Sequence, residues 1–405
     1  MTVLAVEEFV LNLPQDPPIA AYLLKDVLAK FAYIDESVSA ASVSPDGALV
    51  SITVQGEPNE KDRRILSERV RSIVDAMSKG GFEPVLRTLE EHFHPSRYGG
   101  EDPTGILTER REIVQEGPGF FVLGPLLSRV VDHLERRMLN VAAAMNAVPY
   151  RFPALIAPGY LEKVQYFKNF PHSLCFATHL RENLSDIQSF SDRATVERGR
   201  VAIDGNVYAP VAAMLAPTVC HHLYLALSDS DLPADGVVAT ASGHCFRFES
   251  WNMNSLERLW NFTMREIIFV GTEADVRTRL DGVRERLRSV LEEFQITYKL
   301  VTANDPFFIG TFRDQAAYQA AFELKYEIRA ALPYKSDTVA VGSYNRHGNF
   351  FGKTLGIRLA DGSPAYTGCI GIGFERFALA FVAQHGLDPS NWPPAVRAEL
   401  AQQER

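Results

Sequence analysis

No stretch of the chain approaches the ~20 uninterrupted apolar residues that a helical membrane span requires, which excludes a protein built on such spans. The opening residues, MTVLAVEEFVLNLPQD, are acidic and lack the basic-then-apolar layout of a signal peptide, so a bacterial-type cytoplasmic location is expected. Cysteine is scarce. Four thiols, at positions 175, 220, 245 and 369, are too few and too dispersed for a disulfide framework, and fit free thiols or metal ligands in a reducing compartment. Positive charge is also short: 41 Lys and Arg against 50 Asp and Glu leave a net charge of −9. That balance argues against nucleic acid as the main partner, because such binding relies on clustered cations to displace counterions. Internal repeats and low-complexity tracts are absent.

What is present is a chain of 405 residues with ordinary apolar and charged fractions, long enough for two domains. Residues 1–93 read as a small N-terminal α+β domain: an alternating β-branched strand over 48–54 follows the turn at Pro45-Asp46-Gly47 and precedes a helix over 59–78. A break at Gly80-Gly81 and a short strand near 84–86 follow. On that helix Lys61, Arg63, Arg64, Arg69 and Arg71 are interleaved with Asp62 and Glu68, the pattern of a solvated face. The polar segment 94–104 reads as a linker and 105–405 as a second, larger domain; His92 and His94 with Glu90 and Glu91 resemble a metal-binding string, but in this polar stretch they read as solvated residues.

In the larger domain a helix is expected over 125–147, with Leu126, Val130, Leu134, Met138 and Val141 at helical spacing, stopped at Val148-Pro149. A strand follows over 151–156, and further strands are expected over 207–215, 222–227, 245–250, 267–270, 339–343 and 355–359. Helices over 274–295 and 373–385 interrupt them. Strands joined mostly to one another predict an antiparallel sheet in an α+β fold.

Three segments carry candidate chemistry. In His244-Cys-Phe-Arg-Phe-Glu-Ser250, a strand would place Arg247 and Glu249 on one face, where they pair with each other or share a polar ligand. In the block from Glu257 to Phe269, Glu266 is followed at once by Ile267-Ile268-Phe269-Val270, so its carboxylate is expected to be buried and to need a partner charge or a metal. Near the end, Thr367-Gly-Cys-Ile-Gly-Ile-Gly-Phe-Glu-Arg376 is a glycine-rich strand entering a helix, suited to a close phosphate and a bidentate arginine.

Taken in order, the Phe-Arg-x-Glu strand, the Arg258-x-x-x-Phe262-x-x-x-Glu266 strand and the Gly-x-Gly-x-x-Arg376 helix resemble motifs 2 and 3 of class II aminoacyl-tRNA synthetases, most closely the seryl type. Asn304-Asp305, the run from Leu324 to Ile328 and the run from Gly342 to Asn345 resemble further segments of that family, and the helix over 125–147 resembles the dimer-forming motif 1. The resemblance spans about 105–395. It implies an antiparallel sheet flanked by helices, preceded here by the small N-terminal domain. Within the family, Cys220, Glu266 and Cys369 stand where the zinc-dependent branch has its ligands. That branch holds the methanogen-type seryl-tRNA synthetases and the bacterial amino acid carrier-protein ligases, and the wording around Glu266 and Cys369 resembles the ligases more closely.

The resemblance implies a role for each residue. Arg247 would hold the α-phosphate of ATP, Glu249 would accept from the adenine amino group, and Phe262 would stack on the base beside Leu259. Arg258 and Arg376 would hold the outer phosphates, and Ala340, Val341, Gly342 and Ser343 would line the nucleotide pocket. One zinc ion per subunit, on Cys220, Glu266 and Cys369, would bind the α-amino group of the amino acid. ATP would arrive with magnesium, although Val339 stands where the seryl pattern has a metal-binding Glu; Glu327 or the ATP phosphates themselves would then hold that ion.

The simpler readings are that Cys175 and Cys245 are small core residues and that His221 and His222, on a strand, cannot both face a metal; Trp260, beside Phe262, either walls the adenine site or is ordinary core. The trio itself could be two buried thiols and a paired glutamate. The expected activity is ATP-dependent adenylation of glycine or alanine and its transfer to the phosphopantetheine thiol of a carrier protein, by a homodimer with no tRNA and no membrane. The alternatives are a zinc-dependent seryl-tRNA synthetase and a non-catalytic paralogue.

Overall fold

The computed structural model describes residues 7–78, 87–96, 98, 100–197, 199–203, 207–250, 253–303 and 324–403. The sequence features at Gly80-Gly81, at 84–86 and at Asn304-Asp305 lie outside them.

The N-terminal unit contains β1 (Glu8–Pro14), α1 (Leu24–Phe31), β2 (Val38–Val43), β3 (Leu49–Gln55) and α2 (Glu60–Ser78). Its three-stranded antiparallel sheet has the order β1-β3-β2. Alternation along β3 sends Val50, Ile52 and Val54 to one face, where they are sealed by Val27 and Phe31 of α1 and by Val70 and Met77 of α2.

The next strand, β4 (Thr88–His92), leaves this unit and forms the edge of an eight-stranded sheet. The elements that follow and matter here are α3 (Pro125–Ala144), β5 (Val148–Pro149), α4 (Cys220–Ala226), β6 (Val237–Phe246), β7 (Asn261–Gly271) and α5 (Glu273–Glu293). After them come β8 (Tyr298–Thr302), β9 (Lys325–Leu332), β10 (Asp337–Gly348), β11 (Tyr366–Gly373) and α6 (Phe374–His385). The sheet order is β4-β8-β9-β10-β11-β7-β6-β5, antiparallel throughout except for the short β6/β5 pair. This is the α+β arrangement the strand spacing predicts.

Local chemistry explains the flanking helices. Pro125 occupies the first turn of α3, where its missing N–H costs no bond. Thr272 caps α5 by accepting from the Asp275 N–H at 3.1 Å, and Glu273 and Asp275 lie at the positive end of that helix. α6 is buried nearly all round and forms the centre of the helical layer, packing Phe377 and Phe381 against Phe294. Along β7 the two-residue period sends Ile267 and Phe269 into this layer, and Phe262, Met264 and Glu266 to the opposite face. Among the described residues no helix is long and apolar enough to cross a membrane.

Several elements differ from the sequence reading. The run expected as a strand over 222–227 is the helix α4, because a short apolar run has no periodicity that separates a strand from a buried helical turn. The strand expected over 245–250 ends at Phe246, so Arg247 and Glu249 lie on an irregular turn rather than on one strand face. Residues 207–215 contribute only Ala213–Leu215, and 151–156 only Leu155–Ile156. The 355–359 region begins as the end of a helix, Phe350–Leu355. His92 is an ordered strand residue, 3.1 Å from Glu292 and stacked on Tyr298, rather than a solvated linker residue.

Candidate functional site

All thirteen residues singled out from the sequence line one cavity of about 770 Å³ on the open face of the large sheet. Its floor is β7, β9, β10 and β11. Its far wall comes from 164–173, and part of its rim from α1.

At one end stand Cys220, Glu266 and Cys369, with one ligand atom from each lying within 4.8 Å of the others. Cys220 opens α4, Glu266 points out of β7, and Cys369 lies on the neighbouring strand β11, where its backbone pairs with that of Ile268. All three are buried, Glu266 to 1% exposure. Glu266 Oε1 accepts from the Thr218 hydroxyl at 2.8 Å and from the Val219 N–H at 3.2 Å, whereas the buried Oε2 has no hydrogen-bond partner among the described residues. Asn345 Nδ2 donates to Cys369 Sγ at 3.6 Å.

The protonation chemistry of the trio points the same way. The Cys369 thiol is pushed well up by its hydrogen bond with Cys220, by burial and by the nearby acidic groups. For Cys220 that shared bond acts downward, but burial and the Glu266 charge outweigh it and its thiol is also raised. Three acidic groups crowded in a buried pocket disfavour one another's anions, and one carboxylate oxygen is unsatisfied. A cation relieves both, and two thiolates with one carboxylate fit zinc with a position left open. Gly371 makes room for this cluster: a Cβ there would lie 2.6 Å from Met264 Cε and 3.4 Å from Glu266 Cγ.

His221 and His222 do not join the trio. Both are buried on α4, and burial draws the His221 imidazole down to about 3, reinforced by the cations around it. His221 packs edge-on against Tyr160, Tyr166 and Phe351, and His222 stacks on Phe152. His222 packs away from the cavity, and His221 contributes to the cavity wall beside Cys220.

The other end of the cavity is polar. Arg247 donates through Nε to the Pro217 carbonyl at 3.0 Å, and its guanidinium carbon lies 5.4 Å from the centroid of Phe262. Glu249 pairs with Arg258, not with Arg247 as strand register would have it, at 2.7 Å. Arg376 lies in the first turn of α6, 3.5 Å from the Ala340 carbonyl, in the combined field of Arg247, Arg258, Glu249 and Glu327. Glu375, next to it, accepts the Thr263 N–H through both carboxylate oxygens at 2.9 and 3.0 Å, which ties the start of α6 to β7.

Glu327 lines the cavity with Arg329 at 2.9 Å and Lys325 at 3.6 Å. Burial alone would raise its carboxyl, but the two cations outweigh burial and hold it below the usual carboxylate range. Val339 is buried at 6% exposure in the helical layer. Trp260 donates to Cys175 Sγ at 3.0 Å and meets Phe248 edge-on, and Cys245 is fully buried.

Sequence reasoning missed Lys30, Tyr33, Tyr166 and His172, all of which line the cavity. They stand outside the motifs, and no local spacing marks them. Thr218, two residues before Cys220, was legible only as a neighbour of a candidate ligand.

No family model matches the chain. It is 31% identical over 304 residues to "Amino acid--[acyl-carrier-protein] ligase 1" of Bradyrhizobium diazoefficiens, a match covering 75% of this chain and 91% of that protein. It is 24% identical over 379 residues to the type-2 serine--tRNA ligase of Methanopyrus kandleri, covering 87% of this chain and 72% of the other. Among solved structures it is similar to M. kandleri seryl-tRNA synthetase in complex with A. aeolicus tRNASec, with a TM-score of 0.70 at 21% identity, covering 98% of this chain and 78% of that one. The fold is that of the class II synthetases.

Proposed function

The chain belongs to the amino acid carrier-protein ligase family, homologues of the class II seryl-tRNA synthetase core, and from that premise we propose that it adenylates a small amino acid, glycine or alanine, and passes it to the phosphopantetheine thiol of a carrier protein. The observation that carries this reading is that the Cys220–Glu266–Cys369 cluster and the Arg247–Glu249–Phe262–Arg376 group line one cavity, with Phe262 and Glu266 four residues apart on the same face of β7. An amino acid and a nucleotide can therefore meet between them.

In the first step a carboxylate oxygen of the amino acid attacks the α-phosphorus, and pyrophosphate leaves. Such a displacement needs in-line positioning and charge stabilisation more than a protein nucleophile. Arg247, on the cavity wall, would hold the α-phosphate as charge builds there, and Arg258 and Arg376 would supply cations for the departing pyrophosphate. Phe262 offers its ring to the adenine and Glu249 accepts from the amino group. Ala340, Val341, Gly342 and Ser343 present backbone to the nucleotide, and Leu259 closes the apolar side. When bound to the trio, a zinc ion would supply a Lewis-acidic seat for the neutral α-amino group. In the second step the carrier thiolate attacks the activated carbonyl and AMP leaves. Met264 beside the trio supports a small side chain on the substrate. The magnesium that accompanies ATP is assigned to the phosphates and water, because Glu327 is already paired with two cations.

A homodimer is part of this proposal. Leu139 on α3 and Val148 at the sheet edge are 40% and 56% exposed, on the face where motif 1 would pair. A cytoplasmic setting is in keeping with four cysteines that are all free.

The second reading, transfer to tRNA, is favoured by the similarity to the type-2 serine--tRNA ligase, which extends over 87% of this chain. Amino-acid-dependent exchange of pyrophosphate into ATP tests adenylation, with glycine, alanine and serine as arms. Absence of exchange with every amino acid in zinc-replete protein refutes both enzyme readings and leaves a non-catalytic paralogue. Labelled aminoacyl product on a holo carrier protein, and none on bulk tRNA, separates the ligase from the synthetase.

A further inference from the structure

The N-terminal unit reaches the nucleotide end of the cavity. Beyond the last turn of α1, Tyr33 donates its hydroxyl to the Phe248 carbonyl at 3.2 Å, and Ser250 donates through Oγ to the Ala32 carbonyl at 2.8 Å. These bonds join residues 215 and 218 positions apart, and they bracket Glu249, one on each side. Ser250 has a φ of 60°, in the left-handed region that a serine rarely adopts, so the turn needs outside support to persist. Phe248 is held from its other side as well, because its N–H donates to the Ser173 carbonyl at 3.2 Å. The ring of Tyr33 lies 5.1 Å from that of His172, edge to face, and Ala29, Lys30 and Tyr33 form part of the cavity wall.

We propose that Tyr33 and the Ser250–Ala32 bond are positioning elements for nucleotide selection: the N-terminal unit clamps the turn carrying Glu249 so that its carboxylate meets the 6-amino group of adenine. This rests on the assignment of Glu249 to adenine. Neither Tyr33 nor Ser250 needs to touch the nucleotide; they set where Glu249 stands. Backbone pairing with the neighbouring strand ends at Arg247, whose N–H donates to the Trp260 carbonyl at 2.9 Å, and beyond it the clamp supports the Phe248–Ser250 turn. A role is thereby given to a unit that supplies none of the motif residues.

The test is equilibrium binding of MgATP and MgITP to the full-length protein, read by displacement of a fluorescent ATP analogue. ITP carries a carbonyl where ATP carries the amino group. The protein should prefer ATP, and Glu249→Gln should abolish most of that preference. Tyr33→Phe and Ser250→Ala should each reduce the ATP-to-ITP ratio ~3- to 10-fold, as expected for loss of one positioning hydrogen bond. Thermal unfolding of the same variants separates this from a fold defect, since a purely structural contact would lower the midpoint and leave the ratio intact. If Glu249→Gln changes the ratio and the other two do not, the clamp is refuted and the adenine assignment stands. If Glu249→Gln itself leaves the ratio unchanged, the adenine assignment fails and the clamp proposal falls with it.

Discussion

Arg258 Nη1 donates to Glu249 Oε2 at 2.7 Å, so the cation assigned to the outer phosphates and the anion assigned to adenine are ion-paired on one turn. With the Arg258 side chain 43% exposed, the pair costs little to open.

The first prediction concerns this arginine. Arg258→Ala should weaken MgATP binding about tenfold or more while leaving adenosine binding nearly unchanged, as expected for loss of a charge-assisted phosphate contact. Calorimetric titration with both ligands checks it. Equal losses for the two would mean that Arg258 serves only to prop Glu249.

For the metal, dialysed protein should retain one zinc per subunit by elemental analysis, with loss of both metal and exchange activity in Cys369→Ala. Removing zinc should lower the thermal midpoint, because the buried thiols and the orphaned Glu266 oxygen then lose the cation that satisfies them. Circular dichroism should show the fold retained. Full activity in metal-free protein would overturn the assignment.

On the sheet's other face, Arg265 is 8% exposed and grips Glu135 of α3 through Nε at 3.0 Å and also through Nη2, with a further bond to Thr240. Glu135→Ala should destabilise the protein by ~3 kcal/mol in denaturant titrations, because it strands a buried guanidinium. Replacing both partners with apolar residues should cost much less. A small loss in the single variant would show that water reaches the site.

His172 makes the pH dependence specific. Burial first, and the Lys30 charge second, draw its imidazole from the usual value of 6.5 to about 4, with Glu249 opposing. Between those values the unfolded chain binds the proton that the folded chain refuses, so stability should fall as pH drops from about 6.5 to about 4. The loss is at most ~3 kcal/mol. His172→Asn should flatten this part of the stability profile, and an unchanged slope in urea titrations at pH 7 and 4.5 would refute it.

Much of the site was legible before any coordinates, for a definite reason. Arg247, Glu249, Phe262, Glu266, Cys369 and Arg376 lie on or beside three consecutive neighbours of one sheet, β6, β7 and β11, and strand spacing translates directly into shared faces. The buried carboxylate at Glu266 was readable from the four apolar residues after it. The α+β class followed from strands succeeding strands.

Other features depended on contacts that sequence spacing does not encode. α4 was read as a strand because a short apolar run fits either state, and its helical turn is what packs His221 and His222 among aromatic rings beside Cys220. The Glu249–Arg258 pair required the chain to leave its strand at Phe246. Above all, the approach of α1 to that turn depends on two packed bodies meeting more than 200 residues apart in the chain, through one tyrosine hydroxyl and one serine hydroxyl. The sequence by itself determined which residues carry the charges, thiols and aromatic ring that line the cavity, because chemistry and short-range periodicity are local. Only the tertiary structure decided that the N-terminal unit stands against them, because long-range packing is set by the shape of whole surfaces.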